Sequence, residues 1–269
     1  MTQETPPNDG QWISLGFKRM NWGHRHLNKI WSEDNAWTLE FHPSVGVLKN
    51  SLGGNLLHQF TVQNFRTAMG SFSAAQNILS NYQNETELIG VQGLLRQGLM
   101  STIKSLYLLQ PTKKHKQVKR AEQLFDNDQS SYQQACASEL RHLGMGDEAT
   151  KSYDFRKHDE TSMIKNSIQG LKDNHGPCDD LGCPYQDLDG LSHRLLRIWL
   201  LYGSVVHGNL WHKIKDLNDA TGGFAPIPTE LPSAMADLGW LYAHTVATYL
   251  ERYGLSHVVD TMLIDWNDL

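Results

Sequence analysis

Apolar residues that recur every three or four positions over most of this chain leave it one way to build a core, helix against helix. From Leu57 to Leu79 the positions Leu57, Phe60, Phe65, Ala68, Met69, Phe72, Ala75 and Leu79 keep that rhythm and fall on one face of an amphipathic helix. A second rhythm starts near Thr86 and runs through Leu88, Val91, Leu95, Leu99, Thr102, Ile103 and Leu106, stopping before Pro111. It is the least polar of the helical stretches, so its expected place is central. Gly90, Gly93 and Gly98 each weaken its helicity by up to about 1 kcal/mol relative to Ala, a cost that close approach of a neighbouring helix or a ligand would explain.

A third helical region follows Thr112, passes through Val118, Leu124, Tyr132, Cys136 and Leu140, and ends at the Gly144-Met145-Gly146 breaker. A shorter helix from Thr161 to Leu171 leads into a Gly- and Pro-containing loop that ends at Pro184. The last long helix carries Met235, Leu238, Tyr242, Val246 and Tyr249 on one face, with Gly254 as its stop. No strand pair interrupts these patterns. The expected fold class is therefore all-α, a bundle of about five long helices over residues 57–254 with a tail at 255–269. Residues 1–56 read as an irregular aromatic arm, because helical rhythm is absent there and Trp12, Trp22, Trp31 and Trp37 are half of the 8 tryptophans. Such an arm should pack on the bundle through its rings, with Gly53-Gly54 as the boundary and short strands near Trp37 to Phe41.

The stretch from His193 to Trp211 reads as one helix with two unlike faces. Leu195, Ile198, Trp199, Tyr202 and Val206 lie on one side, while His193, Arg197, Leu200, Ser204, His207 and Trp211 align along another. A polar row with the spacing of a packing seam either forms a buried hydrogen-bond network or lines a cleft. In a cleft His207 suits general acid–base work, because imidazole titrates near neutral pH, and Arg197 can grip a phosphate or carboxylate with its planar fork. As a network, the same row would fix helix register or form a dimer interface.

A formal charge of −5 gives no overall attraction to nucleic acid or to an anionic membrane, so such binding has to come from a local patch. The one dense basic run is Lys113 to Arg120, at the start of a helix where positive charge opposes the macrodipole; it reads as a solvated face or as a phosphate contact. No window approaches the roughly 20 apolar residues of a membrane span, so no membrane partner is expected. Three cysteines and a polar N-terminus without an apolar run point to a reducing cytoplasm. His175, Cys178 and Cys183 have a loose metal-ligand look but lack a fourth ligand nearby, so neither a metal nor a cofactor is expected. Zincin, nucleophile-elbow and P-loop motifs are absent from the chain.

Leu94-Leu95-Arg96, Tyr107-Leu108-Leu109-Gln110-Pro111, Val118-Lys119-Arg120 and Arg197-Ile198-Trp199 with Tyr202 to Gly208 and Trp211 resemble a group of uncharacterised bacterial helical proteins. Their pattern is an Arg-bearing helix ending in Trp-Leu-Leu-x-Pro and a later helix carrying Trp, Ser and His-Gly. Tyr107 stands here where that pattern has Trp, and the likeness, covering residues 57–254, implies a helical bundle without naming an activity. More distantly the chain is similar to HEPN domains, many of which are metal-independent ribonucleases of toxin and defence systems that assemble their site from an Arg and a His at a dimer interface. Nine residues separate Arg197 from His207, a wider interval than that family uses, whereas Arg19 with His24 and Arg252 with His257 match its spacing.

These readings converge on one expectation. A row of His193, Arg197, Ser204, His207 and Trp211 faces the helix bearing Arg96 and binds an anionic ligand, a nucleotide or RNA, in a self-associating protein. Arg96 and Arg197 hold the anion, His207 exchanges a proton and Trp211 stacks. The competing expectation is a non-catalytic helical interaction or dimerisation module.

Overall fold

The computed structural model describes residues 8–32, 52–81, 85–113, 115–126, 160–174, 187–206 and 231–252. These residues form α1 (Asp9–Ser32), α2 (Leu52–Ser80), α3 (Glu85–Leu109), α4 (115–126), α5 (Glu160–Asn174), α6 (Leu188–Val206) and α7 (Leu231–Arg252). The described residues contain no strand, in agreement with the all-α expectation. None of the described helices is long and apolar enough to cross a membrane.

The helix α1 corrects the reading of residues 1–56 as irregular. Asn8 and Gln11 form a capping box: Gln11 N–H donates to Asn8 Oδ1 at 3.0 Å, and Asn8 N–H donates to Gln11 Oε1 at 2.7 Å. The inward face that follows carries Met20, Trp22, Leu27 and Ile30, but also Arg19, 1% exposed, and His24, 9% exposed. A charged residue and an imidazole at core positions broke the apolar rhythm that would have announced the helix. On this helix Trp22 is buried, and Trp31 packs on the core beneath the Arg66 guanidinium, 5.6 Å from its ring. Trp37 to Phe41 lie outside the described residues. Gly53-Gly54 falls within the first turn of α2 and is not a break.

The helix α3 is the central element, as its composition suggested, and packs against α2, α5, α6 and α7. From Gly98 to Leu109 every residue but Lys104 is buried. Buried threonines on these helices bond back to their own backbone: Thr102 Oγ1 donates to Gly98 O at 2.8 Å, and Thr245 Oγ1 on α7 to Leu241 O at 2.7 Å. Gly98 fits the expectation of close helix approach, because a Cβ there would overlap the ring of Phe72 on α2. Gly90 has open space around it and answers to no such contact.

The other extensive pairing joins α1 to α7. A Cβ at Gly16 would overlap the carbonyl oxygen of Met235, and one at Gly239 that of Gly16, so the two backbones touch with nothing between them. One turn along, Tyr242 lies edge-on to His24 (5.4 Å between centroids), Phe72 (5.4 Å) and Phe65 (6.2 Å), tying α7 to α1 and α2. Phe60 of α2 meets Phe125 of α4 edge-on at 6.4 Å. The expected helical region beyond residue 126 lies outside the described residues.

The contrast between the two glycines on α3 predicts opposite effects in urea denaturation. Gly98→Ala destabilises by about 1–2 kcal/mol, overpacking against Phe72 outweighing the gain in helicity, whereas Gly90→Ala stabilises by up to about 1 kcal/mol. His24 predicts an acid sensitivity. Burial lowers its pKa from the ordinary 6.5 to about 4, so the folded chain binds fewer protons than the unfolded one between these values. Stability falls as pH drops from 6.5 towards 4, by about 3 kcal/mol for this group. Denaturation of His24→Phe over the same pH range should lack that component.

Candidate functional site

The burial pattern along α6 decides which of its faces meets the bundle. Leu191, Leu195, Ile198 and Tyr202 are buried, and this apolar row takes the position against the core. His193, Arg197 and Leu200, the described members of the polar row, are exposed, Leu200 by 57%. The expectation that this row faces the Arg96 helix therefore does not hold for them: with four apolar residues on one side of a helix, the opposite side is left to solvent. Ser204 lies in the last turn of α6, with its side chain outside the described set. His207, Trp211 and the loop bearing His175, Cys178 and Cys183 are outside it altogether.

Arg96 does meet α6, but on the flank between the two faces. Its guanidinium carbon lies 3.5 Å from the ring centroid of Trp199, a cation–π stack, with Gly203 beside it. A Cβ at Gly203 would approach Arg96 Nε to 3.2 Å, so the small residue leaves the guanidinium its place on the indole. Arg96 Nε is buried and has no acceptor among the described residues. Burial pulls the Arg96 pKa down, and the nearby charge of Glu160 at the start of α5 pulls it back up. An arginine stays charged through such shifts, so the flank holds a cation that lies over one aromatic ring.

A second polar cluster, unmarked in the sequence reading, joins α6 to α7 and α1. Asp187 caps α6 by accepting from Gly190 N–H at 2.9 Å, and that bond, aided by Arg194, lowers its pKa. Arg194 reaches back to Asp187 Oδ2 at 3.2 Å and grips Asp237 with two donors, Nε to Oδ2 at 2.6 Å and Nη2 to Oδ1 at 3.1 Å. Burial raises the Asp237 carboxyl, while Arg194 and the buried Arg19 of α1 favour its charged form. Arg19 and His24, which match the HEPN spacing, are thus both core groups facing α7. The carboxylate of Asp237 within the apolar rhythm of α7 was the signal that would have revealed this cluster.

The basic run beginning at Lys113 resolves into two parts. Lys113, His115, Lys116 and Lys119 are exposed on the solvent side of the segment. Gln117 and Arg120 turn inward and close the C-terminal end of α3: Arg120 donates to Tyr107 O and lies 4.0 Å over the Tyr107 ring, and Gln117 Nε2 donates to Leu109 O at 3.4 Å. A cation opposed to the dipole of its own helix is here placed at the negative end of the preceding one.

Comparison with protein families, curated proteins and solved structures finds no match for this chain. The Arg194 cluster predicts a structural cost that separates it from a ligand site. Asp237→Ala leaves two cations facing an emptied carboxylate position and should cost about 2–3 kcal/mol in chemical denaturation, below the full range for buried pairs because Arg194 is 39% exposed. Asp187→Ala should cost less, since it removes a cap and an exposed partner.

Proposed function

We propose that this chain is a helical anion-binding protein whose ligand, an RNA phosphate or a nucleotide, docks where α3 meets α6, with Arg96 as the principal binding group. The observation that supports this reading is the condition of Arg96: a charged, partly exposed guanidinium 3.5 Å from the Trp199 ring centroid, whose Nε has no acceptor among the described residues. Stacking engages the faces of a guanidinium and leaves its edge, where the N–H groups project in the geometry that matches two oxygens of a phosphate or carboxylate. An uncompensated buried donor costs about 1–3 kcal/mol, so a ligand that satisfies neighbouring donors of the same group draws on interactions the protein cannot make alone.

In this reading Arg197, on the adjoining exposed face, extends the positive surface along which a phosphate backbone runs, and His193 lies beside it as a hydrogen-bonding group. Ser204, His207 and Trp211 follow on the same chain segment; Ser204 donates to the ligand, His207 exchanges a proton with it, and Trp211 stacks on a base. If the bound RNA is cut, His207 acts on the 2′-hydroxyl or the leaving oxygen without a metal, in keeping with the resemblance to HEPN domains. A second reading is self-association through the outer face of α6, on which Leu200 is 57% exposed.

Fluorescence anisotropy with a labelled single-stranded RNA, in excess chelator, tests the proposal. Arg96→Ala should weaken binding about 10- to 100-fold, and Arg96→Lys should recover only part of it, because an ammonium supplies charge without the fork. Any cleavage should disappear in His207→Ala with the melting temperature unchanged. Unaltered RNA affinity in Arg96→Ala, together with a sedimentation mass that falls in Leu200→Asp, would favour the interaction module instead.

A further inference from the structure

Arg96 and the basic run of α4 belong to one charge pattern. From Leu88 to Ala121 the chain carries seven of its 24 lysines and arginines and none of its 29 acidic residues, in a molecule whose formal charge is −5. Arg96 and Lys104 stand on α3, and Lys116, Lys119 and Arg120 on α4. α2, which packs along α3, contains no Asp or Glu either. Successive residues of a helix project about 100° apart. Gly98 meets Phe72 of α2 and Arg96 meets Trp199 of α6, so Gln97, between them, faces the gap between those two helices and is exposed. Gly93 and Lys104 share the face of Gln97, one and two turns away, and are half-buried. Lys104 has neither an ion pair nor a hydrogen bond among the described residues. At the far end α4 meets both sides of the gap, Arg120 lying over Tyr107 of α3 and Phe125 against Phe60 of α2.

The open face of α3 is thus the floor of a groove walled by α2 and α6 and closed by α4. Packed helices lie about 8–10 Å apart and each is about 10–12 Å across, so the two walls leave an opening of about 10 Å or less. A single strand can reach the floor at Lys104, and a duplex cannot enter. We propose that this groove is the track of a single RNA strand, with Lys104 as its middle phosphate contact and the exposed Lys116 and Lys119 drawing the strand onward at the closed end. Along the axis of α3, Lys104 lies about 12 Å from Arg96, and Tyr107, beneath Arg120, about 17 Å. A stacked strand advances about 3.4 Å per nucleotide, so this run spans about five. Two of the three groove cations are arginines set over aromatic rings, a combination on which unpaired bases stack and which an acidic peptide does not require. The track rests on the anion-binding reading of Arg96 and extends it from one contact to a path.

Anisotropy of the full chain with a labelled oligouridylate of about ten nucleotides, repeated over a series of salt concentrations, tests the track. Lys104→Gln should weaken binding about 3- to 10-fold, and the double variant Lys116→Gln/Lys119→Gln by at least as much. The slope of log affinity against log salt should shrink by about 0.7 for each lysine removed, a change that a merely structural role would not produce. Lys18→Gln, on an exposed position of α1, should leave affinity and slope unchanged. The same oligonucleotide annealed to its complement, and polyglutamate of equal charge, should each compete about tenfold less well than the free strand. Circular dichroism melting of every variant verifies that the helices are retained. Unchanged affinity and slope in both the Lys104 and the α4 variants, with binding still weakened by Arg96→Ala, would overturn the track and leave the Arg96 site standing. A duplex or polyglutamate that competes as well as the single strand would overturn it too, and no binding of the oligonucleotide by the unaltered chain would overturn both.

Discussion

A helix buried on nearly every side leaves little room for charge along its length, and α3, whose second half carries Lys104 as its one charged residue, places that constraint on the rest of the molecule. Its second half is enclosed by α2, α5, α6 and α7, so the Thr102 hydroxyl bonds to its own backbone and the packing admits a glycine where Phe72 presses in. Charge is displaced to its flank and its end. At the flank Arg96 escapes sideways onto Trp199. At the end Arg120, Gln117 and Arg252 gather on the carbonyls of Tyr107, Leu109 and Gln110, which burial would otherwise leave unpaired.

Arg96 lies on an aromatic platform with a buried Nε that has no acceptor among the described residues. The Asp187–Arg194–Asp237 cluster differs from it. Its donors and acceptors are spent on one another and on a helix cap, and it works as an internal tie between α6 and α7.

Much of the fold was legible in the spacing of apolar residues, because burying one helical face leaves a 3.6-residue record. α2, α3, α5, α6 and α7 all stand where that record places them, with ends displaced by a few residues. α1 was illegible because Arg19 and His24 occupy its inward face, and a pattern count treats a buried guanidinium as it would an exposed one. Its capping box was nonetheless present in Asn8 and Gln11. The site was read less well, since periodicity separates two faces without saying which polar groups find partners. His193 and Arg197 were singled out for sharing a row. Arg194, one residue from that row, is the arginine with two carboxylates, and the partner that gives it a role lies on α7, at a sequence distance no local pattern spans.

The contact of Gly16 with Gly239 has a consequence for the order in which the chain is made. The first described helix closes against the last, so α1 leaves the ribosome with its docking surface still unsynthesised, and the pairing it awaits spans almost the entire chain. Non-local contacts of this kind raise the entropy that must be lost before they form, and slow folding accordingly. During that interval Trp22, Leu27 and Ile30 have no core to enter, while Arg19 and His24 on the same face stay hydrated and keep the waiting helix from being a uniformly apolar surface. The polar residues that disguised α1 thus also act as a solubilising feature of the nascent chain, and the molecule attains its final architecture only when its two extremities meet.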